Sequence, residues 1–192
     1  MGGYPAHLER WHTLADGRRV LIRPVRPEDA DAESAFFGTL GTESRRLRFM
    51  KAIGMVSERI LHAFTHVDYA DRMAFVCEAG AGGARRIVGE ARYAAIPGTK
   101  SCDFGIVVAD DWRRSGIAGL LMLALMDYAR ARGFETMEGI VLAENRPMLR
   151  FARALGFEVR PVPGHATVRQ VIKVLRSTSP ASAARAGEIS TG

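Results

Sequence analysis

Seven consecutive residues, Arg113-Arg114-Ser115-Gly116-Ile117-Ala118-Gly119, lie between an apolar run and a long amphipathic segment. Two arginines, flexible glycines and the start of a helix make this span an anion cradle. The first amides of a helix lack intrahelical partners, and the macrodipole places about half a positive charge there. A phosphate or diphosphate is the ligand that suits such a turn. The preceding run Asp103-Phe104-Gly105-Ile106-Val107-Val108 reads as a strand pointing into the cradle, and Asn145 follows the next strand. A Walker A loop is excluded because no Gly-Lys-Ser/Thr follows. A dinucleotide fingerprint places an acid about 20 residues on, as Glu138 stands here. Yet Ala109 to Ser115 is a long loop where that fold needs a tight one, and Gly-x-Ala-Gly is not Gly-x-Gly-x-x-Gly.

The elements that must hold these residues follow from periodicity. Arg18 to Pro24 is a first strand, and Pro27-Glu28-Asp29 opens a helix whose apolar residues recur through Phe36 and Leu40. Glu43 to Met50 and Ser57 to Thr65 are shorter helices. Met73 to Glu78 and Arg86 to Ile96 are strands joined by Gly80-Ala81-Gly82-Gly83. After the strand from Asp103 to Val108, a helix runs from about Gly116 to Arg132 and stops at Gly133. Its Ile117, Leu120, Leu121, Ala124 and Tyr128 keep helical spacing toward a core. Met137 to Leu142 is a strand, Asn145 to Leu155 a helix, and Glu158 to Val162 and Thr167 to Leu175 are the last strands. The order predicts a mixed α/β sheet, antiparallel in its first half with parallel crossovers later, and not a doubly wound fold. Residues 1–16 read as an N-terminal extension, 17–176 as one domain, and 177–192 as a disordered or loosely helical tail.

Composition narrows the class. The chain has 192 residues, 47% hydrophobic and 25% charged, enough for one full core. No run approaches the roughly 20 apolar residues of a membrane span, and no signal-peptide centre is present, so the cytoplasm is the expected compartment. A net charge of +6 is spread along the chain without interleaved aromatics, which speaks against nucleic acid and suits an acidic ligand. Cys77 and Cys102 read as buried hydrophobes rather than metal or disulfide partners. His62 and His66 stand four apart near Asp68 but lack a third ligand, so no metal is expected.

Three features together resemble the GNAT N-acetyltransferases. Arg113-x-x-Gly116-x-Ala118 matches that family's Gln/Arg-x-x-Gly-x-Gly/Ala motif. Asn145 precedes a helix that ends in Leu155-Gly156-Phe157, as in family members. Further segments are similar to the GNAT module of bacterial protein lysine acetyltransferases: Tyr4-Pro5-x-His7-Leu8, Ile22-Arg23-Pro24-Val25-Arg26-Pro27-Glu28-Asp29, Arg48-Phe49-Met50, and Gly139 through Leu149. The resemblance implies an acyl-CoA N-acyltransferase fold of about seven strands with four or more helices. It implies acetyl-CoA as acyl donor and an amine acceptor, most readily a protein lysine, in a monomer or homodimer without metal, nucleic acid or membrane. A small-molecule amine acetyltransferase and a non-catalytic acyl-CoA sensor remain the alternatives.

The resemblance also assigns roles. Arg113, Arg114, Ser115, Gly116, Ile117, Ala118 and Gly119 would hold the diphosphate. Ile106, Val107 and Val108 would hold the pantetheine and thioester at a strand bulge, and Asn145 with Met148 would orient the cofactor arm. An amine acceptor must lose a proton, and a lysine ammonium has a pKa of about 10.4. Lysine acetyltransferases of this type place a Glu at the head of the strand where Asp103 stands, one methylene shorter. Alternation puts Asp103, Gly105 and Val107 on one face. Glu90 is the rival base; an acid inside an apolar strand either pairs with a base such as Arg92 or faces the cleft. Glu138 and Glu144 read as a solvated strand residue and a turn residue, and Arg45, Arg46, Arg48 and Lys51 as a solvated helix face. Small-molecule members carry a Tyr where Ala152 stands, to protonate the leaving thiolate.

Overall fold

The computed structural model describes residues 3–49, 57–80 and 85–175. Met50, Lys51, most of the glycine-rich turn at 80–83 and the tail at 177–192 lie outside the described residues. Within them, five helices and eight strands are found. The helices are α1 (Ala30–Thr39), α2 (Thr42–Phe49), α3 (Glu58–Thr65), α4 (Ile117–Ala131) and α5 (Arg146–Ala154). The strands are β1 (Arg10–Thr13), β2 (Arg19–Pro24), β3 (Arg72–Ala79), β4 (Arg86–Ala95), β5 (Ser101–Val108), β6 (Thr136–Leu142), β7 (Glu158–Val162) and β8 (His165–Val174). They form one sheet in the order β1-β2-β3-β4-β5-β6-β8-β7.

The eighth strand is β1, inside the span 1–16 expected from sequence to be an N-terminal extension. Arg10-Trp11-His12-Thr13 is too short and too polar to show alternation, and it becomes a strand by pairing with the apolar β2. Every neighbouring pair is antiparallel except β5 with β6. Two helical crossovers, α4 between β5 and β6 and α5 between β6 and β7, connect strands that run the same way. β8 then inserts antiparallel between β6 and β7.

The sheet has two differently covered faces. On one, α4 buries Ile117, Leu121, Met122, Leu125 and Met126 against β3, β4 and β5. Full burial of such side chains contributes about 1.5–3 kcal/mol each. Leu120, Ala124 and Tyr128 pack only at the margin of that contact. The opposite face carries α1, α2 and α3, with α1 burying Phe36 and Phe37 beneath α3. Near the first turn of α1, Arg23 binds Asp29 through both its Nη atoms at 2.7 Å and Glu78 at 2.6 Å, tying β2 and β3 to the helix start.

Candidate active site

Alternation and register place Asp103, Gly105 and Val107 of β5 opposite Ala94, Arg92 and Glu90 of β4, all on the face under α1 to α3. Over this surface lies an open cleft of about 290 Å³, lined by Arg48, Phe64, Arg72, Arg92, Asp103 and Gly105 among others. Arg48, expected on a solvated helix face, instead turns inward from α2 and lies across Gly105. A Cβ added at Gly105 would sit 2.7 Å from the Arg48 guanidinium, so the residue type at Gly105 makes this approach possible. Arg92 stacks on the Phe64 ring, 3.6 Å from its centroid, and donates to the Phe64 carbonyl. Arg46 does follow the expected outward course, bonding Glu43 and Glu144.

Asp103 keeps part of its carboxyl open to solvent at the cleft edge while protein crowds its remaining sides. That desolvation raises its pKa above the ordinary aspartate value; the Arg48 charge opposes the rise and Glu138 adds to it. Asp103 and Glu138 are direct partners across the parallel β5–β6 ladder. Glu138 accepts a 2.6 Å hydrogen bond from Gln170 and lines a second cavity, of about 230 Å³, that shares Asp103 with the first. Asp103 therefore stands between an arginine-floored cleft and an acidic one.

Glu90 lies behind this cleft, fully buried and bonded to Arg92 Nε, with Arg48 Nη2 at 3.8 Å. The sequence allowed pairing or a cleft-facing carboxylate, and the structure gives pairing. Glu33 of α1, not among the residues expected at the site, joins it: also fully buried, 3.5 Å from Arg92 Nη2. Burial, reinforced by the nearby Glu90 and opposed by Arg92, pushes the Glu33 carboxyl up to about 9. Its signal was present in the chain. Glu33 falls in register with the buried Phe36, Phe37 and Leu40, a stripe in which an acid is anomalous.

The cradle is a strained loop. Arg114 has φ +61° and Gly116 has φ +93°, so two backbone units close together adopt the left-handed region. A non-glycine there costs on the order of 1–3 kcal/mol and marks sites where surrounding structure imposes it. Among the described residues the amides of Arg114, Gly116 and Ala118 have no backbone partner, whereas Ser115 N–H donates to the Trp112 carbonyl at 3.4 Å. Ser115 Oγ also donates to that carbonyl and accepts weakly from Ile117 N–H. The Arg113 side chain is committed elsewhere, to Asp110 at 2.8 Å and to Ser44 at 2.7 Å, which fastens the loop to α2. Ile117 and Gly119 begin α4, with Ile117 buried in the core.

Ahead of the cradle, β5 and β6 pair only from Ser101–Thr136 to Asp103–Glu138 and then part. The β4–β5 register runs without a shift, so the opening comes from divergence of β6 rather than from the bulge expected in β5. Ala109 N–H donates to Val88 of β4. Alternation thus turns the amides of Ile106 and Val108 toward the edge where β6 has left. Val107 is directed to the Glu90 face. Beyond the gap, Asn145 caps α5 by accepting from Met148 N–H at 3.2 Å, and Met148 is half-buried beside it. Ala152 is fully buried in the same helix.

His62 and His66 stack ring on ring with centroids 3.7 Å apart, and the His66 Nδ1 meets the His62 carbonyl. Cys77 and Cys102 are buried thiols whose pKa burial pushes up to about 12. Among the described residues no helix is long and apolar enough to cross a membrane.

Comparison with known proteins bears on this arrangement. Residues 43–157 match the model of the Acetyltransferase (GNAT) family. An acetyltransferase of Pseudomonas aeruginosa is 38% identical over 160 residues, 83% of this chain and 86% of that protein. The crystal structure of the GNAT domain of S. lividans PAT is similar with a TM-score of 0.80 and 25% identity, over 89% of this chain and 99% of that one. A cAMP-binding acyltransferase from Mycobacterium smegmatis shares the fold at a TM-score of 0.58 and 24% identity; the match spans 85% of this chain and 46% of that longer one.

Proposed function

The chain belongs to the GNAT acetyltransferase family, and on that premise we propose that it transfers acetyl from acetyl-CoA to the side-chain amine of a protein lysine, with residues 17–176 as the catalytic unit. The observation that carries the reading is the position of Asp103: a partly open carboxylate at the edge of an open cleft, beside the point where β5 and β6 separate. An open cleft suits an acceptor presented on a protein surface, and the sequence segments shared with bacterial protein lysine acetyltransferases support the same acceptor.

The geometry supports the roles that the family resemblance implies for the chain's residues. The free amides of Arg114, Gly116 and Ala118 receive the diphosphate at the N-terminus of α4. Arg113 acts as a prop for that loop through Asp110 and Ser44 rather than as a direct charge on the ligand. The β5 edge at Ile106–Val108 takes the pantetheine arm. Its outward amides face the thioester oxygen, which gains negative charge as the amine adds and is stabilised by preset donors. Asn145 and Met148 border the arm from α5. Asp103 accepts the amine proton, directly or through one water. The departing thiol has an ordinary pKa of about 8.5, so it leaves as thiolate without the Tyr that Ala152 replaces.

The test is incubation of a lysate with the protein and isotope-labelled acetyl-CoA, followed by mass spectrometry of proteins and of small amines. Labelled lysine side chains are the expected result. Label confined to small amines would overturn the acceptor assignment, and no label on any amine would overturn the transfer itself.

A further inference from the structure

Two walls flank the seam where β5 and β6 part, and a surface ion pair joins them. The first wall is β5 with α2 lying on it. Ser44 anchors that helix by donating to Asp110 at 2.6 Å and accepting from Arg113 at 2.7 Å, and Arg48 lies over Gly105 of the strand. The second wall is β6 with the turn leading into α5, where Glu144 directly precedes the cap residue Asn145. Strand pairing between the walls ends at Asp103–Glu138. Past that point, Arg46 of α2 donates from Nη1 to Glu144 Oε1 at 2.7 Å, a bond between residues 98 positions apart in the chain.

An exposed pair of long side chains usually contributes little, because both must give up their freedom to meet. Here the arginine is already ordered. Its Nε and Nη2 are held in a fork by Glu43 of the same helix, at 2.9 Å and 2.8 Å. The fork fixes the plane of the guanidinium and leaves Nη1 to donate elsewhere. Glu144 is carried on a short turn fastened at both sides: Asn145 N–H donates to the Leu142 carbonyl at 2.9 Å, and Arg146 N–H to the Glu144 carbonyl at 2.7 Å. Glu43 alone would satisfy an arginine that served only its own helix. The third bond leaves the helix and crosses the seam.

We infer that Arg46 and Glu144 form a clasp across this seam, acting as positioning residues that hold its two walls at a set separation around the pantetheine arm of acetyl-CoA. This rests on the reading of the β5 edge as the seat of that arm. The amides of Ile106 and Val108 belong to one wall and the Asn145 cap of α5 to the other. A ligand that touches both keeps its contacts only while the walls stay together. The clasp restricts their separation before the ligand arrives, and its effect falls on the rate at which the ligand leaves.

Surface plasmon resonance with the immobilised full chain and acetyl-CoA in solution tests this without an acceptor. Arg46→Gln and Glu144→Gln should each release acetyl-CoA about two- to fivefold faster than the wild type, the range an exposed pair supplies. The double variant should be no faster than either single, since both remove one bond. Glu43→Gln keeps the crossing bond and should change the rate less than Glu144→Gln does. The advantage of the wild type should shrink in molar salt, where charges are screened within about 3 Å. Melting temperatures should stay at the wild-type value; faster release accompanied by a lower melting temperature would mark a merely structural tie and overturn the clasp. So would unchanged release in both single variants, additive effects in the double variant, or a Glu43→Gln effect equal to that of Glu144→Gln. A wild type that bound no acetyl-CoA would refute the reading of the seam and the clasp with it, whereas normal binding with unaltered release would refute the clasp alone.

Discussion

Buried Arg23 and partly buried Arg92 each face two carboxylates, and they are treated in opposite ways. Arg23 is bonded to Asp29 through two nitrogens and to Glu78 through one, and Asp29 accepts the Arg26 amide as well. No side-chain atom of Arg23, Asp29 or Glu78 is left buried without a partner. Arg92 also sits between two acids, yet Glu33 and one oxygen of Glu90 go unsatisfied. The first cluster is a finished strut at the start of α1. The second lies behind the cleft that Asp103 borders, and its bonding is left incomplete. Where local rules of polar satisfaction fail inside an otherwise consistent protein, function is the place to look.

The contrast can be broken from either side. Removing the Arg23 guanidinium with Arg23→Ala should cost about 3–5 kcal/mol in chemical denaturation, because buried Asp29 loses its ion-pair partner and partly buried Glu78 its shortest one. Turnover per folded molecule should stay near that of the wild type. Asp103→Asn should do the reverse: stability nearly unchanged, acetyl transfer down roughly 10²–10⁴-fold, and the calorimetric affinity for acetyl-CoA preserved. Gly105→Ala sharpens the account of Arg48, since the new methyl must displace the guanidinium lying over it. With that positive charge moved away, the Asp103 midpoint should rise, and the acid limb of the pH–rate profile should move up with it. The smallest effect concerns Glu33. Its folded pKa is raised to about 9, well above the ordinary glutamate value. The native state therefore keeps a proton that the unfolded chain releases, and stability falls as pH climbs through that window. Glu33→Gln should lessen this fall, seen as a smaller loss of melting temperature between mildly acidic and alkaline buffer.

Much of the site can be read in the chain where local pattern decides. Period-two alternation puts Asp103, Gly105 and Val107 on one face, and the Gly116 turn announces the start of α4; both hold in three dimensions. What escapes is whatever depends on contact between distant elements. Arg48 has a polar helix around it and looks solvated, and only Gly105, 57 positions later in the chain, gives it room to turn inward. Glu33 belongs to an apolar stripe, and its acid reads as an exception until Glu90 and Arg92 appear across from it. Arg113 fits a phosphate-binding motif by sequence, yet its side chain finds Asp110 and Ser44 first. β1 shows no pattern of its own and exists because β2 offers an edge. The expected bulge in β5 is replaced by the parting of β6, a property of the sheet that no single strand encodes.

Asp103 is the group proposed to take the proton from the acceptor amine. Its most direct test is the pH dependence of thiol release from acetyl-CoA with a lysine-rich peptide as acceptor, in the wild type and in Asp103→Asn. The wild type should show an acid limb that titrates above the ordinary aspartate range, and Asp103→Asn should lose both that limb and most of the rate. Equal rates with the same acid limb in both proteins would contradict it.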